Sequence, residues 1–270
     1  MIPTSSTTLR NSLSAFVPTP VKNYLVTKVF FSPTVGRVLR LVGPEKTLKG
    51  LRFDLRSPNL SLDEVANLYF DRRERAEYDM VRRHILPLDV AQIVELGVSI
   101  GFIAAHLVNS KKVSYFGIEA SPRLAREAEI NIRNNDRWDS AVRIENLCID
   151  YTGNEHVEFG ESYNSLVGKL GRTNGTLVRV PAATFSEIVR RLELHDFALI
   201  SDIEGGEAEV LFQDPESLRG CRVIVAELEN TPRFTIKQQV IRLEELGFEM
   251  RECFRNVFAF RRREPTGTRQ

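Results

Sequence analysis

Apolar positions recur along the chain with two different rhythms, and the change between them falls near residue 92. Before that point the pattern is helical. Thr19-Pro20 and Ser32-Pro33 each set a capping side chain ahead of a proline, which predicts short helices over 20–31 and 33–42. In the second helix Val35, Val38, Leu39 and Val42 share a face, and Gly43-Pro44 stops it. Residues 51–55 alternate as a strand does. Ser61 with Glu64 makes a capping box for a helical stretch that reaches about residue 85 and breaks near Asp71.

Beyond residue 92 short apolar runs alternate with amphipathic ones. Strands are predicted at 92–96, 113–119, 142–149, 177–180, 197–203 and 222–229, with helices at 100–109 and 122–134, after Thr184, near Gly206, and from Thr231-Pro232 to Gly247. The helix over 122–134 turns Leu124, Ala128 and Ile130 or Ile132 inward. Residues 248–254 and 256–261 read as a closing hairpin. Residues 151–177 hold five glycines and no firm period, which predicts an irregular insertion. Alternating strands and helices mean a mostly parallel sheet with helices on both faces. Ligands then bind beyond the carboxyl ends of the strands, at the topological switch point.

The division follows: a basic, partly flexible extension over 1–50, a lead-in over 51–90 that packs on the core, a catalytic-type α/β domain over 91–262, and a polar tail over 263–270. With 42% hydrophobic residues the 270-residue chain fills a real core, which excludes disorder. The net charge of +1 gives no global pull toward nucleic acid, yet residues 1–50 carry seven basic groups against Glu45 alone, a local +6. Three cysteines without short spacing indicate neither a disulfide framework nor a zinc site. No apolar run of membrane-spanning length exists, and the first 20 residues lack the apolar core of a signal peptide. The expectation is a soluble cytoplasmic protein.

Chemistry concentrates at the strand ends. The 92–96 strand runs into Glu95-Leu96-Gly97-Val98-Ser99-Ile100-Gly101. This is G-x-x-x-G rather than G-x-G-x-x-G, so a tight pyrophosphate cradle is disfavoured while a nucleoside still fits. Gly97 serves the sharp turn and Gly101 the close packing of a helix. Glu119 ends the second strand, 22 residues after Gly97, where a carboxylate is placed to accept hydrogen bonds from ribose hydroxyls. Asp150 follows the third strand, within reach of an adenine amine or as a surface acid. The 197–203 strand ends in the densest acidic group of the chain, Asp202, Glu204 and Glu207, and Glu227 and Glu229 follow the next strand. Glu207 reads as the acid of a helix start. Asp202 and Glu204 stand over the cleft and are the candidate catalytic groups. A hard cation held by Asp202, Glu204 and Glu227 is the less favoured reading, and no metal site is assigned. His106 reads as a satisfied packing or surface residue, and Trp138 either packs near adenine or covers a helix end.

Three segments together resemble the FkbM family of S-adenosylmethionine-dependent methyltransferases: residues 93–101, Gly117-Ile118-Glu119-Ala120-Ser121-Pro122, and residues 199–207 with their Asp202-Ile203-Glu204-Gly205-Gly206-Glu207 signature. The similarity spans roughly residues 75–260. It implies the Rossmann-like, seven-stranded class I methyltransferase sheet with S-adenosyl-L-methionine as methyl donor. Glu95, Gly97, Ser99 and Gly101 then belong to the donor loop and Glu119 to the ribose. Relatives usually carry Lys where Ser201 stands.

The implied reaction is O-methylation of a hydroxyl on a sugar, glycolipid or natural product, so the partner is a small-molecule or glycan acceptor. A non-catalytic nucleoside-binding partner protein, or a nucleic-acid methyltransferase guided by the basic N-terminus, are the rival readings. The N-terminal helices combine Tyr24, Leu25, Phe30, Phe31 and Leu39 with Lys and Arg. Core packing or a homodimer contact is preferred for them over peripheral membrane contact.

Overall fold

A computed structural model describes residues 32–71, 75–161 and 176–264. The expected lead over 1–18, the helix over 20–31, most of the tail and the middle of the 151–177 segment lie outside the described residues.

Helix α1 (Pro33–Val42) begins where Ser32 accepts the Val35 N–H and Pro33 fills the first turn. It packs on α2 (Leu62–Tyr69), and the approach is close: a Cβ on Gly36 would stand 1.9 Å from the Leu62 carbonyl oxygen. Arg40 fixes the rotation of α1 by donating to the carbonyls of Leu55 (2.9 Å), Ser57 (3.3 Å) and Leu60 (2.6 Å). Between the helices lies a hairpin of β1 (Glu45–Leu48) and β2 (Leu51–Asp54). Lys49 and Gly50 both take positive φ (50° and 83°), as a two-residue turn between twisted strands requires. Only β2 is legible in the sequence, because β1 buries little beyond Leu48. The Ser61–Glu64 capping box is present, and Asp71, at φ 52°, separates α2 from α3 (Arg75–His84) as expected.

The central sheet has seven strands. In chain order they are β3 (Gln92–Leu96), β4 (Ser114–Glu119), β5 (Ala141–Asn146), β9 (Phe197–Ser201), β10 (Cys221–Glu227), β11 (Phe248–Phe254) and β12 (Val257–Arg262). In space they run β11-β12-β10-β9-β3-β4-β5, with only the β12 pairings antiparallel. The order reverses between β3 and β9, which makes their carboxyl ends the switch point. Both are central strands buried on two faces, so they read as continuous apolar runs. One face is covered by α2, α3, α4 (Phe102–Ser110) and α5 (Pro122–Asn135). The other is covered by α6 (Phe185–Arg191), α7 (Glu207–Gln213) and α8 (Ile236–Glu245).

Several boundaries move. The expected 142–149 strand stops at Asn146, and Cys148–Ile149 (β6) pairs instead with β8 (Thr176–Ala183). The stretch expected to be irregular contributes β7 (His156–Glu161), antiparallel to β8, so a three-stranded sheet stands beside the main one. Helix α8 starts at Thr235, not Thr231. Thr235 and Gln238 form the capping box, while the Thr231 N–H closes a turn onto the Phe234 carbonyl. Of the two candidates on α5, Ile132 is buried and Ile130 is 40% exposed.

Two acids bind the lead-in to α5. Arg123, just inside α5, makes a forked pair with Glu64 of α2 (2.7 and 3.1 Å) and also donates to the Asn59 carbonyl. Glu127, fully buried, accepts from Ser57, Asn59 and Asn131, and burial pushes its carboxyl up from the usual range. A lone buried carboxylate is costly unless it is hydrogen-bonded, and both of these are.

Candidate active site

The loop after β3 is shaped by backbone sterics. Gly97 (φ 84°) and Gly101 (φ 78°) occupy conformations that L side chains rarely adopt. A Cβ on Gly97 would stand 2.0 Å from the Asp202 carbonyl oxygen, so the tips of β3 and β9 touch through backbone; the Asp202 N–H also donates to the Leu96 carbonyl (2.9 Å). A Cβ on Gly101 would meet Ala128 of α5 at 2.9 Å, so this glycine admits α5 rather than the helix it precedes.

Four of the loop amides are spent inside the protein. Gly97 and Val98 donate to the Ile118 carbonyl, Gly101 to the Val98 carbonyl, and Ser99 to the Glu119 carboxylate at 2.7 Å. A pyrophosphate needs several free N–H groups converging on it. The amides at 97, 98, 99 and 101 are not available for that.

Glu119 is buried at the tip of β4. One oxygen accepts the Ser99 N–H, and the other accepts the Ser121 N–H at 2.8 Å. It therefore bridges the first and second loops. Glu95 lies deeper, accepting the Tyr115 hydroxyl at 2.5 Å. Asp150 follows β6 on the small sheet and accepts the Thr152 N–H at 2.9 Å. Cys148, buried beside the charges of both Asp150 and Glu119, has its thiol pushed up to about 12, chiefly by burial.

After β9 the chain turns through Glu204 (φ 56°) and Gly205 (φ 98°) into α7. Glu207 folds back under this turn, accepting from Ile203 N–H (2.6 Å), Gly205 N–H (3.0 Å) and the Ser201 hydroxyl (3.1 Å). Its burial raises the carboxyl to about 7 despite these donors. Ser201 thus holds the loop acid.

Asp202 differs. Among the described residues no group donates a hydrogen bond to its carboxylate, although it sits deep at the strand mouth with part of its surface open. Its carboxyl is held well above the usual range, first by loss of solvent and then by the charges of Glu227, Glu207, Glu204 and Glu77. Glu77 belongs to α3, so the lead-in reaches the same mouth. Nothing in its helical pattern marked it, because a first-turn glutamate usually serves the helix dipole. Glu227 accepts from Asn256 of the β11–β12 turn. Among the described residues no three His, Cys, Asp or Glu side chains are grouped to hold a metal ion.

One residue is corrected, His106, and for Trp138 one of the two expected roles is found. His106 packs against Tyr78 (ring centroids 4.4 Å apart), but it is not satisfied: both ring nitrogens are buried without a hydrogen-bond partner among the described residues. Burial first, then Lys49 and Arg82, lowers its pKa to about 4. Trp138 donates to the Asn109 carbonyl (3.3 Å) and so covers the end of α4, the second of its two expected roles.

A seven-stranded sheet, parallel but for the reversed strand β12, with helices on both faces is the class I methyltransferase fold. The Methyltransferase FkbM domain family matches residues 95–255, and the chain belongs to that family. It is a methyltransferase whose methyl donor is S-adenosylmethionine. No curated protein sequence matches it significantly. Among solved structures it is similar to a TehB-like S-adenosylmethionine-dependent methyltransferase from Corynebacterium glutamicum, with 13% identity, TM-score 0.42, and 73% of this chain and 93% of that one covered. It is also similar to magnesium protoporphyrin IX methyltransferase from Synechocystis with bound donor, with 10% identity, TM-score 0.44 and coverage of 92% and 99%. A sugar N-methyltransferase from Streptoalloteichus matches with 14% identity, TM-score 0.39 and coverage of 73% and 92%. The assignment rests on the family match and the topology.

Proposed function

We propose that the protein transfers a methyl group to a hydroxyl oxygen of a sugar, glycolipid or natural product, with Asp202 as the group that orients the acceptor and takes its proton. The observation that carries this reading is the Asp202 carboxylate, set at the switch point without a protein donor among the described residues. When bound, S-adenosylmethionine supplies a methyl group already activated on a cationic sulfur. The remaining task is placement of the acceptor oxygen in line and at near-contact distance.

The chain's residues divide that task. Glu119 is the acid for the ribose hydroxyls, and its bond to Ser99 N–H ties the ribose side of the site to the donor loop. Gly97, Ser99 and Gly101 shape that loop, with Glu95 supporting it from inside. Asp150 is the candidate partner for the adenine amine. A neutral hydroxyl is a poor nucleophile, so a base must take its proton as the oxygen–carbon bond forms. Loss of solvent first, and then its carboxylate neighbours, make Asp202 more basic than a solvated aspartate, and a nearby positive charge would favour its ionised form. Glu204 is the second candidate for the same role.

Labelled-donor transfer to a panel of hydroxylated sugars and glycolipids tests the reaction, with Asp202→Asn beside the wild type. Undiminished transfer by that variant removes Asp202 from the chemistry. Calorimetry with the donor and Glu119→Ala tests the ribose assignment separately.

A further inference from the structure

Helix α5 turns a polar stripe toward the rest of the protein. Arg123, Glu127, Asn131 and Asn135 stand four residues apart, so they follow one side of the helix. Glu127, Asn131 and Asn135 are buried. Helices usually bury apolar residues, but here each polar group has a fixed partner. Arg123 meets Glu64 and the Asn59 carbonyl, and Glu127 accepts from Ser57 and Asn59. Asn135 binds both backbone groups of Arg52, accepting its N–H at 2.8 Å and donating to its carbonyl at 2.9 Å. Three of the four therefore hold the lead-in.

Asn131 reaches the loop after β3 instead. Its side-chain amide donates to the buried Ile100 carbonyl (2.9 Å) and to Glu127 (3.3 Å). The residue before Ile100 is Ser99, whose φ of 53° is one that few L residues adopt. Such a backbone persists only where its surroundings hold it. Here Glu119 of β4 holds the Ser99 N–H, and Asn131 of α5 holds the next carbonyl.

We propose that Asn131 is a positioning residue for the methyl donor. It clamps the Ile100 carbonyl, keeps Ser99 in its left-handed conformation, and through Glu127 makes the shape of the donor loop depend on the seating of residues 57–59. This rests on the placement of S-adenosylmethionine at the 97–101 loop. A buried carbonyl that loses its partner is costly, so without Asn131 the loop relaxes away from the conformation that meets the methyl donor.

The test is calorimetry of the full chain with S-adenosylmethionine, with Tm recorded for each variant. Asn131→Leu is expected to weaken binding about tenfold. Asn135→Leu is the control, because it cuts the tie to β2 on the same stripe without touching the loop. It should lower Tm by about 2–6 °C while affinity changes less than about twofold. Glu127→Gln keeps the shape and an acceptor for Asn131, so it should bind within about threefold of the wild type, whereas Glu127→Leu should weaken binding by about fivefold or more. Should Asn131→Leu not fold, Asn131→Ala carries the same comparison. Unchanged affinity in the Asn131 variant, an equal loss in Asn135→Leu, or no difference between the two Glu127 variants would each overturn the proposal. Glu119→Ala on the same instrument separates the readings. Weaker binding by Glu119→Ala alone sinks the clamp, and weaker binding by Asn131→Leu alone sinks the ribose assignment. An effect of neither removes the methyl donor from this loop, and the clamp with it.

Discussion

The two edges of the switch point handle buried acid in opposite ways. On the β3–β4 side Glu119 is wrapped by backbone, with one N–H on each oxygen. On the β9–β10 side two carboxylates five residues apart diverge. Glu207 collects two amides and a hydroxyl, while Asp202 collects no donor among the described residues and faces other carboxylates. Donor supply, not position in the motif, sorts these acids. An acid ringed by N–H groups is part of the scaffold, or rigidly presented by it. An acid left without donors at the mouth of a sheet is stable only if it holds a proton or meets a cation or a hydroxyl.

That contrast breaks most directly at Asp202. Asp202→Asn is expected to lower kcat by about 10²–10⁴-fold, the range for loss of a general base, while donor affinity changes less than about threefold. Labelled-methyl transfer and calorimetry together check this. Loss of donor affinity instead would make Asp202 a binding residue.

Gly97→Ala tests the contact that joins the two edges. The added Cβ meets the Asp202 carbonyl, and φ 84° is itself unfavourable, so about 2–4 kcal/mol of stability should be lost in denaturant titration.

Glu207 gives the pH test. Its carboxyl is raised from 4.5 to about 7 in the fold, so its contribution is fully present below pH 4.5 and is lost as pH rises through 7. Stability should fall over that window by up to about 3 kcal/mol, and Glu207→Gln should flatten the slope. Asp202, shifted in the same direction, adds to the fall, so Asp202→Asn should remove a further part of it.

On the opposite edge Glu119→Ala should weaken donor binding by about 10–100-fold, one or two hydrogen bonds to a charged group, and free the Ser99 and Ser121 amides. The smallest expected effect is at His106. Replacing its unpartnered ring by Leu should leave stability unchanged or raise it by about 1 kcal/mol, read as a modest increase in Tm.

Much of this was legible in the amino-acid order. Period and caps located α1, α2, α5, α6 and every strand of the main sheet, because a buried strand or an amphipathic helix must carry its own apolar pattern. The glycines at 97 and 101 and the acids at 119, 202 and 204 were visible for a similar reason: a turn at a strand end needs glycine, and a carboxylate there is unusual. What the order could not decide was pairing. The break after Asn146 and the strand β7 depend on β8 as partner, and the Thr235 start of α8 depends on a turn closed by Phe234. Likewise Glu207 and Asp202 are both carboxylates in one motif, and Glu77 is one more helical acid. Only the tertiary structure separates their roles, because the cost of a buried charge is set by donors and neighbours that arrive from distant parts of the chain.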